Sequence, residues 1–277
     1  LRIGLLTSGG DCQALNATMR GIVKTLMTNS EEPIEIYGFE DGYQGLIYSR
    51  FRVMSPADFS GILTRGGTIL GTSRTPFKSL DIPEADGVEK VPAMVHTYHK
   101  LQLDCLFMLG GNGSTKTANR LREEGLNILH LPKTIDNDLM VTDHTPGYGS
   151  AAKYIATILK EVIRDSSVYN IRSVTVAEIM GRHAGWLAGA ACLAGGEDCE
   201  GPDLILLPEV PFDQDKFLAR VDELQRVKSN VIIAASEGVK TADGTYLCDL
   251  VSTAGQLDAF GHKAILSGTS RYLSELI

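Results

Sequence analysis

Short apolar segments alternate with longer segments of helical periodicity along much of the chain. Near the start, IGLL is followed by the turn TSGGD and by ALNATMRGIVKTLM, in which apolar residues recur at spacings of three and four. This succession predicts a buried strand, a turn and an amphipathic helix. The segments CLFMLGG, STKTANRLREEG and NILHLP repeat the pattern and predict a strand, a helix and a further strand. Glycines collect where the strands end, which is typical of βα turns.

A third and weaker set of elements follows in the second half of the chain. SVTVAEIMG, DLILLPEV and NVIIAASEG are predicted as strands, and WLAGAACLAGG and residues 217–227 as helices. The strands are almost entirely apolar, as in parallel sheets that helices cover on both faces. We therefore predict an α/β fold of wound parallel sheets. The helical segment AAKYIATILKEVIRD indicates a crossing between two lobes around one cleft, which we place at residues 1–141 and 142–277.

Composition and charge exclude several classes of protein. The 277 residues include 34 acidic and 26 basic side chains, and a formal net charge of −8 disfavours broad binding to nucleic acid or anionic membranes. No apolar run approaches the roughly 18 residues of a membrane-spanning helix, and LRIGLLTSGGD lacks the features of a signal peptide. We expect a soluble, cytoplasmic protein. The five cysteines contain no CxxC pair, so we predict neither a disulfide framework nor a zinc site.

Two glycine-rich turns follow predicted strands. The first glycine turn contains Gly9 and Gly10, followed by Asp11, and the second glycine turn is residues 110–114. Glycines allow backbone N–H groups to approach a phosphate closely, and the following helix presents its positive N-terminal end. An ordinary tight turn explains each motif alone, but two such turns in one chain favour a polyphosphate. Neither has the GxxxxGK[ST] or the GxGxxG pattern.

The densest polar cluster is PKTIDND, residues 132–138, directly after the strand NILHL. Wound α/β sheets bind ligands at this carboxyl edge. Asp136 and Asp138 can divide the work of a phosphoryl transfer, one accepting the proton of an attacking hydroxyl and the other helping to hold Mg²⁺. Lys133 would then offset phosphate charge. The alternative is a capped turn with solvated acids, and the two glycine turns favour the functional interpretation.

Single charged residues occupy other turns. Arg74, Arg172 and Arg182 carry guanidinium groups that match phosphate oxygens, although each also suits a surface ion pair. Glu237 ends the strand NVIIAAS, where it can accept hydrogen bonds from sugar hydroxyls or cap a helix. The histidines interpreted as structural are His183 and His262.

Taken in this order, the turns resemble those of the phosphofructokinase family over nearly the whole chain. The motifs that carry the resemblance are residues 7–11, 41–43, 65–68, 71–74, 110–114, 132–138, 180–182 and 208–210. Each motif is short, and together they are highly specific. The family transfers a terminal phosphoryl group from ATP or pyrophosphate to the 1-hydroxyl of fructose 6-phosphate. The resemblance implies that reaction on a phosphofructokinase-like fold of two wound lobes around one cleft.

The resemblance also implies roles for individual residues. Asp136 is expected to be the base that takes the hydroxyl proton, with Thr134 and Arg182 as further catalytic residues. The expected contacts of the sugar phosphate are Thr134, Asp136, Arg172, Met180, Gly181, Arg182 and Glu237. The expected donor contacts are Gly10, Tyr43, Arg74, Gly111, Asn112, Gly113, Ser114 and Lys133. Tyr43 would lie near the adenine of ATP, and a neighbouring subunit would supply Arg172, which implies a homo-oligomer of at least two chains.

The two possible donors are favoured by different residues. Members of the family that use pyrophosphate usually carry an aspartate where Gly113 stands, in the space that an α-phosphate needs. Because Gly113 leaves that space open, we expect ATP as the donor. Lys133, however, is typical of pyrophosphate users, and the ending LDAFGHKAILSGTSRYLSELI resembles a segment of such members. Pyrophosphate is therefore the alternative donor.

Two departures from the family pattern concern the metal and the end of the chain. Asn112 stands where the family commonly has a metal-associated aspartate, so one negative charge at the metal is missing and we expect weakened Mg²⁺ binding. The expected metal contacts are Asn112 and Asp138, and the charge of Asp138 or Asp11 would compensate for the missing one. The last fructose-phosphate contacts of the family would lie beyond Ile277, and we expect an incomplete catalytic unit. A non-catalytic subunit that binds sugar phosphate or nucleotide as a regulator is the second alternative.

Overall fold

The computed structural model describes residues 1–10, 12–251 and 268–277. The expectations for Asp11 and His262, and for most of the ending that resembles pyrophosphate users, lie outside the described residues. The chain forms two compact units, Leu1–Thr134 and Ile135–Ile277. The sequence predicts the boundary after residue 141, a few residues further along the chain than the boundary between these two units.

The first unit is built on a mostly parallel sheet with the strand order β3-β2-β1-β4-β5. Its strands are β1 (Arg2–Thr7), β2 (Glu35–Phe39), β3 (Phe51–Met54), β4 (Cys105–Gly110) and β5 (Ile128–Pro132). Strand β1 pairs in parallel with β2 and β4, and β4 pairs in parallel with β5. The chain adds strands first on one side of β1 and then on the other. Wound α/β proteins bind ligands at such a switch point, outside the carboxyl ends of β1 and β4.

Helices cover this sheet with their apolar faces. They are α1 (Leu15–Asn29), α2 (Tyr43–Ile47), α3 (Lys90–Lys100) and α4 (Asn112–Glu123), with 3-10 turns at Pro56–Phe59 and Phe77–Ser79. Helix α1 buries Leu15, Met19 and Val23, which recur every fourth residue and so share one face. The helices cover the faces of the sheet, and a glycine turn follows the carboxyl end of β1 and another follows that of β4.

The second unit has a parallel sheet with the order β6-β8-β7. Its strands are β6 (Ser173–Ile179), β7 (Leu204–Leu206) and β8 (Asn230–Ser236). Its helices are α5 (Tyr148–Ser167), α6 (Trp186–Gly189), α7 (Gln214–Val227), α8 (Leu247–Val251) and α9 (Thr269–Leu276), with a 3-10 turn at Ala190–Ala194. The central strand β8 is buried on both faces: Ile233 packs in the cluster with Phe217 of α7, and Ala234 packs in the cluster with Leu159 of α5.

The predicted α/β class with wound parallel sheets is confirmed, and the all-apolar strands are explained by helices on both faces. Strand β3 differs from the parallel pattern because it pairs with β2 in the antiparallel direction. It lies at the edge of the sheet, and its FRVM sequence exposes Arg52 and Val53. Among the helices of the described segments, none has the length and apolarity needed to cross a membrane.

Candidate active site

The first glycine turn follows β1 directly. Gly9 has a φ of 84°, a region that favours glycine, and its amide donates a hydrogen bond to the carbonyl of Ser73 at 3.1 Å. Thr72 Oγ1 donates to the Gly9 carbonyl at 2.8 Å. A Cβ atom at Gly10 would lie 3.2 Å from Arg74 Nη2, so the exposed Arg74 guanidinium lies over the backbone of the turn. This arrangement suits an anionic group.

The second glycine turn begins helix α4. Gly111 is the N-cap residue, and within the described chain no side chain caps α4 and no acid occupies its first turn. The first amides of α4 and its positive N-terminal end are therefore available to an anion. A side chain at Gly110 would overlap Ser114, which packs beneath the strand end. Asn112 and Gly113 are exposed, and a Cβ atom at Gly113 would meet no described atom within 4 Å.

Lys133 joins the two glycine turns. Its Nζ donates a hydrogen bond to the carbonyl oxygen of Gly10, and its backbone amide donates to the carbonyl of Gly110 at 3.1 Å. Only 7% of the lysine is exposed. A buried ammonium group bound to the first glycine turn provides positive charge beside that turn, where it would attract a phosphate.

Tyr43, the residue expected near the adenine of ATP, is buried in the core of the first unit. It begins α2 and is 1% exposed, within the core cluster that also contains Leu46 and Tyr98. A ring that is packed on all sides offers no face for stacking on a base. The structure therefore does not support the predicted adenine contact, because α2 and α3 pack around the ring.

In the second unit, two turns at the strand ends interlock. Gly181, which follows β6, has a φ of 129°, and a Cβ atom there would lie 2.6 Å from the Ala184 carbonyl oxygen. A side chain at Gly238 would overlap the backbone of Arg182. Ser236 Oγ donates to the Gly181 carbonyl at 2.6 Å and accepts from the Gly238 amide at 3.0 Å. The ends of β6 and β8 are thus held as one structure.

Glu237 lies at the centre of this arrangement and is half-buried. Its Oε1 accepts a hydrogen bond from the Gly181 amide at 3.2 Å. Burial raises the pKa of Glu237, the Gly181 amide and Arg182 lower it, and the charges of Asp136 and Glu178 raise it. The structure therefore places Gly181, Arg182 and Glu237 together, and the charge of Asp136 acts on the Glu237 carboxyl. The sequence predicts that all four residues bind the sugar phosphate.

Asn137 fixes the backbone between the two aspartates of the PKTIDND motif. Its φ is 57°, its Nδ2 donates to the Asp143 carbonyl at 3.1 Å, and its Oδ1 accepts from the Thr145 amide at 2.8 Å. Asp136 is half-buried, whereas Asp138 is exposed. The two carboxylates thus have different surroundings, as a division of roles requires. Thr134, on the other side of Asp136, is also half-buried.

Arg172 does not join this cluster within one chain. It precedes β6, whereas Met180 follows it, and the eight residue steps between the two positions span about 26 Å of extended chain. Arg172 is exposed, and Met180 is 55% exposed. Met180 and Gly181 therefore lie at the carboxyl edge of the sheet, and Arg172 lies at the opposite edge.

A divalent cation would need oxygen ligands beside the bound phosphates. Among the described residues, no group of three or more His, Cys, Asp or Glu side chains could hold a metal ion. The predicted ligands Asn112 and Asp138 are both exposed. Mg²⁺ usually keeps several waters and binds one or two protein oxygens together with substrate phosphates. The metal contacts at Asn112 and Asp138 stay a prediction, and each side chain has an oxygen that a cation bound to phosphates would accept as a ligand.

Several residues that shape the site were not predicted as functional. Ser236 links the two turns, and Glu178 accepts hydrogen bonds from the amide and hydroxyl of Ser270 at 2.8 Å each, next to Glu237. Thr269 Oγ1 in turn donates to the Glu237 carbonyl at 3.1 Å. The sequence signal for Ser236 and Glu178 was their place beside strand-end motifs, and only the fold reveals where the side chains point.

The fold and the two groups of strand-end residues define a wound α/β protein with glycine turns at the carboxyl ends of its strands. The profile of the family described as Phosphofructokinase matches residues 2–269. The chain belongs to the phosphofructokinase family, and the resemblance noted in the sequence is confirmed.

Named relatives include users of both donors. The ATP-dependent 6-phosphofructokinase of Spirochaeta thermophila is 46% identical over 240 residues, which cover 85% of this chain and 63% of that protein. The pyrophosphate–fructose 6-phosphate 1-phosphotransferase of Amycolatopsis methanolica is 37% identical over 278 residues, which cover 100% of this chain and 75% of that protein.

A solved structure matches the chain as well. The pyrophosphate-dependent phosphofructokinase from Nitrosospira multiformis matches with a TM-score of 0.75 and 30% identity, over 88% of this chain and 62% of that chain. The chain spans less than two thirds of the length of this structure and of the Spirochaeta protein.

Proposed function

We propose that the chain catalyses, as part of a phosphofructokinase, the transfer of the terminal phosphoryl group of ATP to the 1-hydroxyl of fructose 6-phosphate, giving fructose 1,6-bisphosphate, a reaction of glycolysis. The place of the PKTIDND motif carries this proposal. Its Lys133 donates to Gly10 in the first glycine turn, and the charge of its Asp136 acts on Glu237 at the end of β8. One motif thus supplies a cation to the donor turns and a carboxylate to the proposed sugar-phosphate residues.

The first unit would bind the donor. The amides of the two glycine turns and the N-terminal end of α4 would hold phosphate oxygens, and Lys133 and Arg74 would balance their charge. Catalysis of phosphoryl transfer consists mainly of positioning and electrostatic stabilisation, and rigid backbone donors supply both. The turns are held by the hydrogen bonds of Gly9 to Ser73 and of Lys133 to Gly10 and Gly110.

The second unit would bind and activate the acceptor. The oxygen of the 1-hydroxyl forms a bond to the terminal phosphorus of ATP, and Asp136 takes the proton of that hydroxyl. The bond from that phosphorus to the bridging oxygen breaks, and the electron pair leaves on ADP. Glu237, Met180 and Gly181 would contact the sugar phosphate. Thr134 and Arg182 would stabilise the charge on the transferred group.

Mg²⁺ would bind with the donor phosphates, and Asn112 and Asp138 are the residues proposed to contact it. When bound, the cation neutralises charge on the phosphate oxygens. Both side chains are exposed, as such contacts require.

The surroundings of Gly113 support ATP as the donor. A Cβ atom at this position would meet no described atom within 4 Å, so there is room beside the first turn of α4 for a phosphate. Pyrophosphate is the second candidate because of Lys133, whose ammonium group binds the first glycine turn and adds attraction for any phosphate. The buried ring of Tyr43 supplies no contact that would favour an adenine.

We also propose a homo-oligomer, because Arg172 lies at the sheet edge opposite to Met180 and Gly181. An arginine at that position can serve a sugar-phosphate site only in another chain. The cytoplasmic location expected from the sequence stays a prediction.

Turnover of fructose 6-phosphate with Mg²⁺ and either ATP or pyrophosphate tests the proposal. Product formed with ATP and not with pyrophosphate supports the main proposal, and the reverse result supports the second candidate. Binding of sugar phosphate without turnover by either donor would instead indicate the non-catalytic subunit.

A further inference from the structure

The hydroxyl of Tyr43 is buried next to the two glycine turns, and among the described residues no group forms a hydrogen bond of normal geometry with it. Its ring packs in the core, and its oxygen has no hydrogen-bond partner among the described residues. Phenylalanine would fill the same space without a polar atom to bury. A buried polar group that lacks a partner is disfavoured, so its presence calls for an explanation.

The surroundings of this hydroxyl supply one. Burial raises the pKa of Tyr43, and weak hydrogen-bonding interactions with the hydroxyls of Ser114, Ser8 and Thr117 lower it. These three hydroxyls therefore lie near the phenol oxygen, although none of them meets the geometry of a normal hydrogen bond. Ser8 immediately precedes Gly9 of the first glycine turn. Ser114 ends the second glycine turn, and Thr117 follows it in α4. One hydroxyl therefore lies next to both turns.

Ser8 and Ser114 also meet at Gly110. A Cβ atom at Gly110 would lie 3.2 Å from the carbonyl oxygen of Ser8 and would overlap Ser114. The amide of Ser8 donates to the Leu109 carbonyl at 2.8 Å, which fixes the first glycine turn to the end of β4. A small shift of either turn changes the surroundings of the Tyr43 hydroxyl, because all these groups are buried and closely packed.

We propose that Tyr43 is a positioning residue, whose hydroxyl sets the spacing of the two glycine turns and forms its hydrogen bond with Ser8 or Ser114 when phosphates occupy both turns. This inference rests on the proposed function of the turns as a donor site. A ligand favours the arrangement to which it binds more tightly, so a hydrogen bond made only in that arrangement strengthens donor binding. The base of a nucleotide has no part in this effect.

Tyr43→Phe tests the proposal because it removes the hydroxyl and keeps the ring. Binding of Mg²⁺-ATP and of Mg²⁺-tripolyphosphate, which has no base, is measured by calorimetry, and the Tm is measured without ligand. We expect both affinities to fall by the same factor, about fivefold, as for one hydrogen bond. We expect the Tm without ligand to be unchanged or higher, because no partnerless hydroxyl is then buried.

Tyr98→Phe is the matched control. Tyr98 lies in the same core cluster and is also buried, but its hydroxyl lies beside the backbone of Asn127 and not beneath the turns. We expect this variant to bind both polyphosphates as the wild type does. An equal loss of affinity in Tyr98→Phe would overturn the proposal, since general loosening of the core would then explain both variants.

The remaining outcomes separate this proposal from the proposed function. A loss confined to ATP in Tyr43→Phe would overturn it in favour of a base contact, and unchanged affinity for both compounds would also overturn it. Wild-type protein that binds neither polyphosphate would overturn the proposed donor site, and this inference with it.

Discussion

The ammonium group of Lys133 donates a hydrogen bond to the carbonyl oxygen of Gly10, a residue 123 positions earlier in the chain. The backbone amide of the same lysine donates to Gly110. One residue after β5 therefore bridges the turns that follow β1 and β4. The lysine both orders these turns and gives them a positive charge.

Replacing Lys133 should weaken the use of the donor. Lys133→Met keeps much of the buried stem but removes the charge and the hydrogen bond to Gly10. We expect the kcat/KM for the donor to fall by about 10- to 100-fold, since hydrogen bonds of charged groups contribute about 1.5–3 kcal/mol. Steady-state kinetics with varied donor measure this effect. Lys100→Met, at the exposed end of α3, is the control and should retain the wild-type value.

Replacing Asp136 should separate chemistry from binding. Asp136→Asn keeps the size of the side chain but removes the base, so we expect turnover to fall by about 10²- to 10⁴-fold while the Kd for fructose 6-phosphate changes by less than about threefold. Kinetics and calorimetry together measure the two effects. Asp165→Asn, on the exposed face of α5, is the control. Near-normal turnover in Asp136→Asn would remove this residue from the mechanism.

Adding a side chain at Gly113 should change donor preference without disturbing the fold. The position is open, and an acid in the first turn of a helix is favourable, so we expect Gly113→Asp to alter the free energy of unfolding by less than about 0.5 kcal/mol. We expect turnover with ATP to fall more than turnover with pyrophosphate, because the carboxylate would fill the space of the α-phosphate and repel its charge. Gly113→Ala separates bulk from charge. An unchanged ratio of the two activities in Gly113→Asp would contradict the steric argument.

Glu237 should make stability depend on pH in a defined direction. Its pKa in the folded protein is raised, first by burial and also by the charges of Asp136 and Glu178. The folded state therefore holds this proton more tightly, and the stabilisation, complete below the unfolded pKa, is lost as the pH rises through the folded pKa. Glu237→Gln keeps an acceptor for the Gly181 amide and does not titrate.

We therefore expect Glu237→Gln to gain stability relative to the wild type as the pH rises from 4 to 7, while its affinity for fructose 6-phosphate falls. Urea unfolding at several pH values measures the first effect, and calorimetry measures the second. A difference in unfolding free energy that is constant with pH would show that Glu237 is not the titrating group.

The α/β class and most of the site follow from the sequence because both depend on local patterns. Largely apolar segments predict strands β1, β4, β5, β6, β7 and β8, glycines follow four of them (β1, β4, β6 and β8), and the motifs at the strand ends supply the candidate residues. Strands β2 and β3 and helix α3 were not predicted, since β2 and β3 are short and mix polar with apolar residues. Such segments carry too little periodicity to be distinguished from loops.

The position of individual side chains depends on distant parts of the chain. The adenine contact expected for Tyr43 stays a prediction. The burial of this ring comes from packing of α2 against other elements of the core, which the residues around it do not reveal. The hydrogen bond from Lys133 to Gly10 is equally invisible in the sequence. Asn137, by contrast, lies within a motif that the sequence singles out, yet its positive φ becomes evident only from the backbone.

The open first turn of α4 has an evolutionary consequence. A glycine codon becomes an aspartate codon by a single base change, and at Gly113 that change meets no steric obstacle in the protein. On the proposed donor site, this one substitution would change the preferred phosphoryl donor while the protein stays folded. We would then expect closely similar proteins to differ in their phosphoryl donor because of drift and selection at one codon.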